Sequence, residues 1–196
     1  MGISGSVEVS VAPASEPVST AEAKAWVRQD LDADDTLIGA LITAAREQAE
    51  IVTGRALITQ TLVWRMDGFP GHVLRVPRPP LQSVTSIAYT DTAGDAQTLA
   101  ASKYQVDTKS QPGRLAPVFG EVWPTVEIGT LNPLTITLVA GYGDNATDVP
   151  EGIRHGIMGI LAHLYEHRES VVTGTIATQL PQHAIDLLEP YRVPWF

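Results

Sequence analysis

The sequence predicts an α+β protein, a small helical bundle with a mainly antiparallel β region inserted between its second and third main helices. Three observations predict it. Apolar residues recur at helical spacing before residue 54 and again after residue 150. Between about residues 57 and 142 the period falls to two, in β-branched segments bounded by Gly and Pro. The chain has 196 residues, 44% hydrophobic and 18% charged, enough to close the core of one globular domain.

Residues 1–18 read as a flexible N-terminal arm of small residues, without the basic start and apolar stretch of a signal peptide. Met1, Gly2 and Ser6 fit the loose N-myristoylation pattern, a match that such an arm produces by chance. The main domain is expected over 19–190. "STAE" at Ser19–Glu22 spells a capping box that opens a helix over about 20–30, with Trp26 as its expected buried residue. "DLDADD" interrupts it. Asp30, Asp32, Asp34 and Asp35 lack the glycine and distal glutamate of an EF-hand, so they read as a helix-capping acidic loop.

The second helix is expected over about 34–53, closed by Gly54. Leu37, Leu41, Ala45, Ala49 and Val52, joined by Ile38 and Ile42, make its predicted core face. Thr43, Arg46, Glu47 and Glu50 lie opposite. "LITQTLVWRM" and "HVLRV" then read as strands about the turn "DGFPG". "VTSIAYT" with "AQTL", and "YQVD" with "GRLAPV", read as two hairpins. Residues 119–133 have no period and read as loop, before the apolar strand "LTITLVAGY". Helices follow over about 150–168 and 181–188, with a loop at 169–180 that orders when neighbours supply its pairing, and a tail at 191–196.

The net charge is −9, from 22 acidic against 13 basic residues, and the densest basic stretch is Arg75 to Arg78. Gripping nucleic acid needs clustered cations to replace phosphate counterions, so the charge points away from a DNA-binding module, though not from a protein that works beside DNA. The absence of cysteine excludes disulfide scaffolds and Cys-ligated metals. The apolar runs fall short of the roughly 20 residues that cross a bilayer.

One stretch spells chemistry. "HLYEH" fits H-x-x-E-H, in which His163 and His167 would share a metal and Glu166 would act as base of a hydrolase. A third ligand is needed, and downstream only Glu169, Asp186 and Glu189 remain. The histidines also fall at the margin of the apolar stripe Ile153, Ile157, Ile160, Leu161 and Leu164, where half-buried imidazoles are ordinary. No nucleophile-elbow, P-loop or dinucleotide motif is present. We therefore assign no catalytic, cofactor-binding or metal residue.

Two features point to packing instead. Gly152, Gly156 and Gly159 line one side of the third helix, and each mid-helix glycine costs about 1 kcal/mol relative to alanine. They read as a helix-packing groove, filled from this subunit or a neighbour. The terminal "YRVPWF" holds Trp195 and Phe196, which either fold back onto the domain or anchor in a partner's pocket.

The blocks from Thr20 onward together resemble the head–tail connector (adaptor) proteins of long-tailed phages and gene transfer agents. They include "AEAKAWVRQDLDADD", "RVPRPPLQSVTSIAYTD", "PGRLAPVFGEVWP", "VAGYGD", "VPEGIRHGIMGILAHLYEHRE" and "LLEPYRVPWF". The resemblance implies a structural virion protein without catalysis or cofactor, made in the host cytoplasm and assembled as a dodecameric ring. That ring would sit beneath the portal protein, hold a tail or stopper protein, and pass DNA through its channel unbound. An acidic lumen would let DNA slide without sticking. Family portal contacts are made by C-terminal segments, which carries over here to Tyr191, Arg192, Val193, Pro194, Trp195 and Phe196. Residues 1–18 lie outside the resemblance, and His167 stands where the family commonly has asparagine. A metal-dependent hydrolase and a non-viral scaffold module are the rival readings.

Overall fold

The computed structural model describes residues 5–29, 32–127, 129–167 and 180–193. Where the sequence reading expects one domain, the chain forms two compact units. Thr59–Tyr142 and the N-terminal strand make a β unit, and Ser15–Ile58 with Gly143–Arg192 make a helical unit. The physical reason is that the helical segments on either side of the β region collect on one another, and the sheets close a core of their own.

The β unit holds β1 (Ser6–Val11), β2 (Gln60–Met66), β3 (Leu74–Arg75), β4 (Leu81–Thr90), β5 (Ala96–Thr98), β6 (Tyr104–Asp107), β7 (Arg114–Pro117) and β8 (Leu134–Ala140). They form a five-stranded sheet, β1-β2-β8-β4-β5, and a three-stranded sheet, β3-β7-β6, antiparallel throughout. Both predicted hairpins form. The core comes from alternate residues. Leu62, Trp64 and Met66 on β2 stand opposite Leu138, Ile136 and Leu134 on β8, and all six are buried. A slip of one residue would turn this whole face outward, so the register is strongly specified.

The arm reading of residues 1–18 is corrected. Val7, Val9 and Val11 alternate with Glu8 and Ser10, and this segment pairs along β2 as an edge strand. Glu8 meets Arg65 across the pair at 2.7 Å. The small residues around it disguise a period of two. Gly5 approaches the Arg65 carbonyl so closely that a Cβ there would overlap it.

The helical unit holds α1 (Thr20–Val27), α2 (Asp35–Thr53), α3 (Glu151–Glu166) and α4 (Gln182–Leu188). The predicted capping box is present. The Ser19 hydroxyl accepts from the Glu22 amide at 3.2 Å, and the Glu22 carboxylate accepts from the Ser19 amide at 2.8 Å. Those bonds, with Arg154 beside it, hold the Glu22 carboxyl below its ordinary range. Gly54 closes α2 in the left-handed region, with φ 69°.

Two burial expectations are corrected. Trp26 is 47% exposed, and Ala23 is the buried residue of α1. The small side chain lets the helix approach closely, which leaves the bulky indole at the margin, tilted against the His155 ring at 5.8 Å. On α2 the core face is rotated toward Ile38, Ile42, Ala45, Ala49 and Thr53, while Leu37 is exposed. Arg46 and Glu50, expected in solvent, are buried because they satisfy each other. Arg46 reaches Glu16 at 2.8 Å and Glu50 at 3.2 Å, and Glu50 also accepts from the Leu57 amide at 3.0 Å.

Candidate functional site

The H-x-x-E-H stretch forms the last turn of α3. His163 and His167 do share a face, with ring centroids 4.3 Å apart. His167 is the helix C-cap, and its Nδ1 donates to the His163 carbonyl at 2.9 Å. Glu166 is exposed. Of the candidate third ligands, Asp186 accepts from Gln182 at 2.8 Å and Glu189 pairs with Arg192 at 3.6 Å. Glu169 lies outside the described residues. Among the described residues, no three His, Asp or Glu side chains converge on one point.

The acidic loop is knit into its own unit. Lys24 lies 2.7 Å from Asp32 and 2.8 Å from Asp35, and Asp34 accepts from Gln29 at 2.9 Å and Tyr165 at 3.0 Å. The Lys24 ammonium lowers the Asp32 pKa, and Asp32 and Asp35 raise that of Lys24. These carboxylates answer a cation and two donors already in the fold. Asp30 lies outside the described residues.

The glycine row of α3 lies under α4 and the turn that follows it. A Cβ on Gly156 would stand 2.9 Å from the Leu188 side chain, and one on Gly152 2.9 Å from the Tyr191 hydroxyl. A Cβ on Gly159 would stand 2.8 Å from His183 Nε2 and 3.2 Å from the Ala184 Cβ. Contacts under 3.0 Å are closer than real Cβ atoms adopt. The absence of side chains therefore sets the separation of the two helices. What fills the row is a segment of this same chain.

The terminal stretch divides. The Tyr191 ring rests over Gly152, and its carbonyl accepts from Arg55 Nε at 2.5 Å. Val193 is 3% exposed, whereas Arg192 is exposed. Tyr191 and Val193 thus pack against other residues of the chain, and Arg192 stands exposed between them. Pro194, Trp195 and Phe196 lie outside the described residues.

Sequence reasoning missed a surface on the β unit. The loop between β7 and β8 exposes Phe119 fully, at 106%, and Val122 and Leu131 at 82% each. The loop is nonetheless anchored. Trp123 stacks on Phe69 at 4.6 Å and donates to the His72 carbonyl at 3.0 Å, and Lys103 donates to Glu121 at 2.5 Å. Asn132 donates its amide to Asp67 at 2.9 Å. Large apolar side chains on a fixed loop differ from single exposed residues on a frayed one. The sequence signal was present as "VFGEVWP", apolar and aromatic residues in a segment with no period of its own.

Beside this loop, on the three-stranded sheet, lies a shallow groove of about 280 Å³ lined by Val73, Gln105, Val106, Asp107, Arg114 and Ala116. Asp107 fixes its wall, accepting from Arg114 at 2.6 Å and from the Ser110 hydroxyl at 2.6 Å. The Ser110 bond first, and then Arg114, hold the Asp107 carboxyl far below the ordinary carboxylate range.

No family model matches the chain, and no curated protein does. Solved structures do. The chain is similar to a chain from the neck of an empty GTA particle computed with C6 symmetry, at TM-score 0.79 and 20% identity, over 97% of each chain. It is similar to a chain of the virion of a native gene transfer agent particle, at TM-score 0.78 and 21% identity, over 97% of this chain and 96% of that one. A third likeness is to a chain from the neck of a native GTA particle computed with C12 symmetry, at TM-score 0.70 and 21% identity, covering 95% and 96%. The fold of this chain is therefore that of gene-transfer-agent neck and virion chains, along nearly its whole length.

Proposed function

We propose that this chain is a head–tail connector, a structural virion protein that assembles as a ring in the neck of a phage or gene-transfer-agent particle. One observation carries the proposal: the likeness to a GTA neck chain covers 97% of both chains. Both units and the connections between their elements are thus accounted for, not one shared motif. The C6 and C12 symmetries of the two neck particles support a ring, with twelve copies as the number to test. The packed glycine row and the internally answered carboxylates fit a building block better than an enzyme, because they place those residues in helix contacts.

In this reading the ring lies beneath the portal protein, joins it to a tail or stopper protein, and lets DNA pass. Arg192 with Pro194, Trp195 and Phe196 makes the portal contact, while Tyr191 and Val193 hold the base of that segment in the fold. The net charge of −9 supports a channel that repels phosphate and so lets DNA slide. The chain would be made in the host cytoplasm and end in the virion. Negative-stain images of the purified protein mixed with the portal protein test this directly. Rings seated on portal rings are expected; isolated monomers in every mixture would refute it.

A further inference from the structure

The helical and β units divide the charge unequally. Residues 15–58 and 143–192 carry 15 carboxylates against 7 Lys and Arg, whereas the rest of the chain carries 7 against 6. Copies brought side by side through their acidic helical units would repel one another; the near-neutral β unit carries no such penalty. Among the described residues, the β unit also holds the three most exposed large apolar side chains, Phe119, Val122 and Leu131.

The same unit offers a place for them. The lining of the groove on the three-stranded sheet includes Val73, Val106 and Ala116, with Val73 and Val106 themselves 49% and 38% exposed. At about 280 Å³ it falls just below the range of small-molecule pockets, which begins at roughly 300 Å³, and suits a side chain better than a ligand. Its own Phe119 does not enter it, because that side chain is fully exposed.

Of the charged residues that line the groove, Arg114 and Asp107 are paired with each other, and Arg75, opposite Arg114 in the β3–β7 register, adds a guanidinium next to that lining. The loop from Val118 to Pro133 carries Glu121 and Glu127 and no Lys or Arg, and Lys103 pairs with Glu121. An acidic, aromatic-tipped loop and a groove with a guanidinium next to its lining thus lie on the same unit. Two unlike patches of one chain that fit each other make a head-to-tail contact, and head-to-tail contacts close into rings when the rotation permits.

We propose that neighbouring copies of this chain join through the Phe119 loop of one and the Val73–Val106–Ala116 groove of the next. The occupant of the groove is a second copy of the chain, and the inference rests on the ring reading above, to which it adds the surface. Phe119 is the aromatic anchor, and Val122 and Leu131 flank it.

The chain has no cysteine, so single introduced thiols report unambiguously. Phe119→Cys and Gln105→Cys proteins, each carrying one thiol, are mixed and treated with a short bismaleimide. A crosslinked pair that needs both proteins is the expected product, in excess of either protein crosslinked to itself. Phe119→Asp should also lower the association constant at least tenfold with an unchanged melting temperature, since the ring is fully exposed in the isolated chain. Rings that form normally with Phe119→Asp, and give no mixed crosslink, would overturn this contact and leave the ring reading standing. Wild-type protein that stays monomeric at every concentration, with and without portal protein, would remove both.

Discussion

The glycine face of α3 and the β7–β8 loop do opposite things with apolar surface. On α3, side chains are deleted at Gly152, Gly156 and Gly159 so that a segment of the same chain closes over the helix. On the loop, Phe119, Val122 and Leu131 are held out in solvent on an anchored backbone. The first arrangement completes the fold from within. The second leaves large apolar side chains in water, where the contact proposed above would cover them. Internal packing and the proposed assembly contact therefore rest on different residues, and variants in the two regions should fail in different ways.

The largest expected effect lies inside the helical unit. Glu50→Ala would leave Arg46 with one partner fewer in a buried site and the Leu57 amide unpaired. A loss of about 3–5 kcal/mol is expected, read by chemical denaturation. Gly156→Ala comes next, because its Cβ would press on the fully buried Leu188. Overpacking of this kind costs about 1–3 kcal/mol. Gly159→Ala should cost less, since the nearest atom belongs to the exposed, movable end of His183. A Gly156→Ala protein as stable as the wild type would show that α4 does not depend on close approach.

On the loop the order of effects reverses. Phe119→Asp should change stability by less than about 0.5 kcal/mol, the scale of surface substitutions, while its effect on assembly is large. Smallest of all is the acid response of the groove wall. The folded pKa of Asp107 is depressed, so its contribution is fully present above the unfolded value of about 3.9. It fades only as the pH falls through the lower folded value. Carboxyl shifts followed by NMR should show Asp107 still ionised at pH 3, with Ser110→Ala raising its midpoint. An ordinary midpoint for Asp107 would mean the wall is not held as described.

Much of this was legible from residue types alone. The capping box at Ser19, the helix end at Gly54, both hairpins and the α3 stripe follow from local rules that depend on neighbours in sequence. The misses share a cause, which is that tertiary partners reassigned a residue. Arg46 and Glu50 read as a solvent face because charge normally means exposure, and only the approach of Glu16 and Leu57 makes their burial stable. Trp26 read as core because size normally means burial, until Ala23 took the contact. The strand at Ser6–Val11 was short and set among small residues, so its period of two stayed below notice. The groove row was visible as glycines at helical spacing, but that α4 and Tyr191 lie over it could not be read from spacing. Phe119 was passed over because an aperiodic loop gives no pattern against which an exposed aromatic stands out.

The division between inward and outward surfaces can be measured in one experiment, hydrogen exchange compared between monomer and assembled ring. Assembly should slow exchange in residues 73–75, 105–107 and 114–131, while the α3 segment from Glu151 to Glu166, already covered by its own chain, stays unchanged. Protection gained only along α3, with the β7–β8 loop exchanging as fast in the ring as in the monomer, would contradict the account.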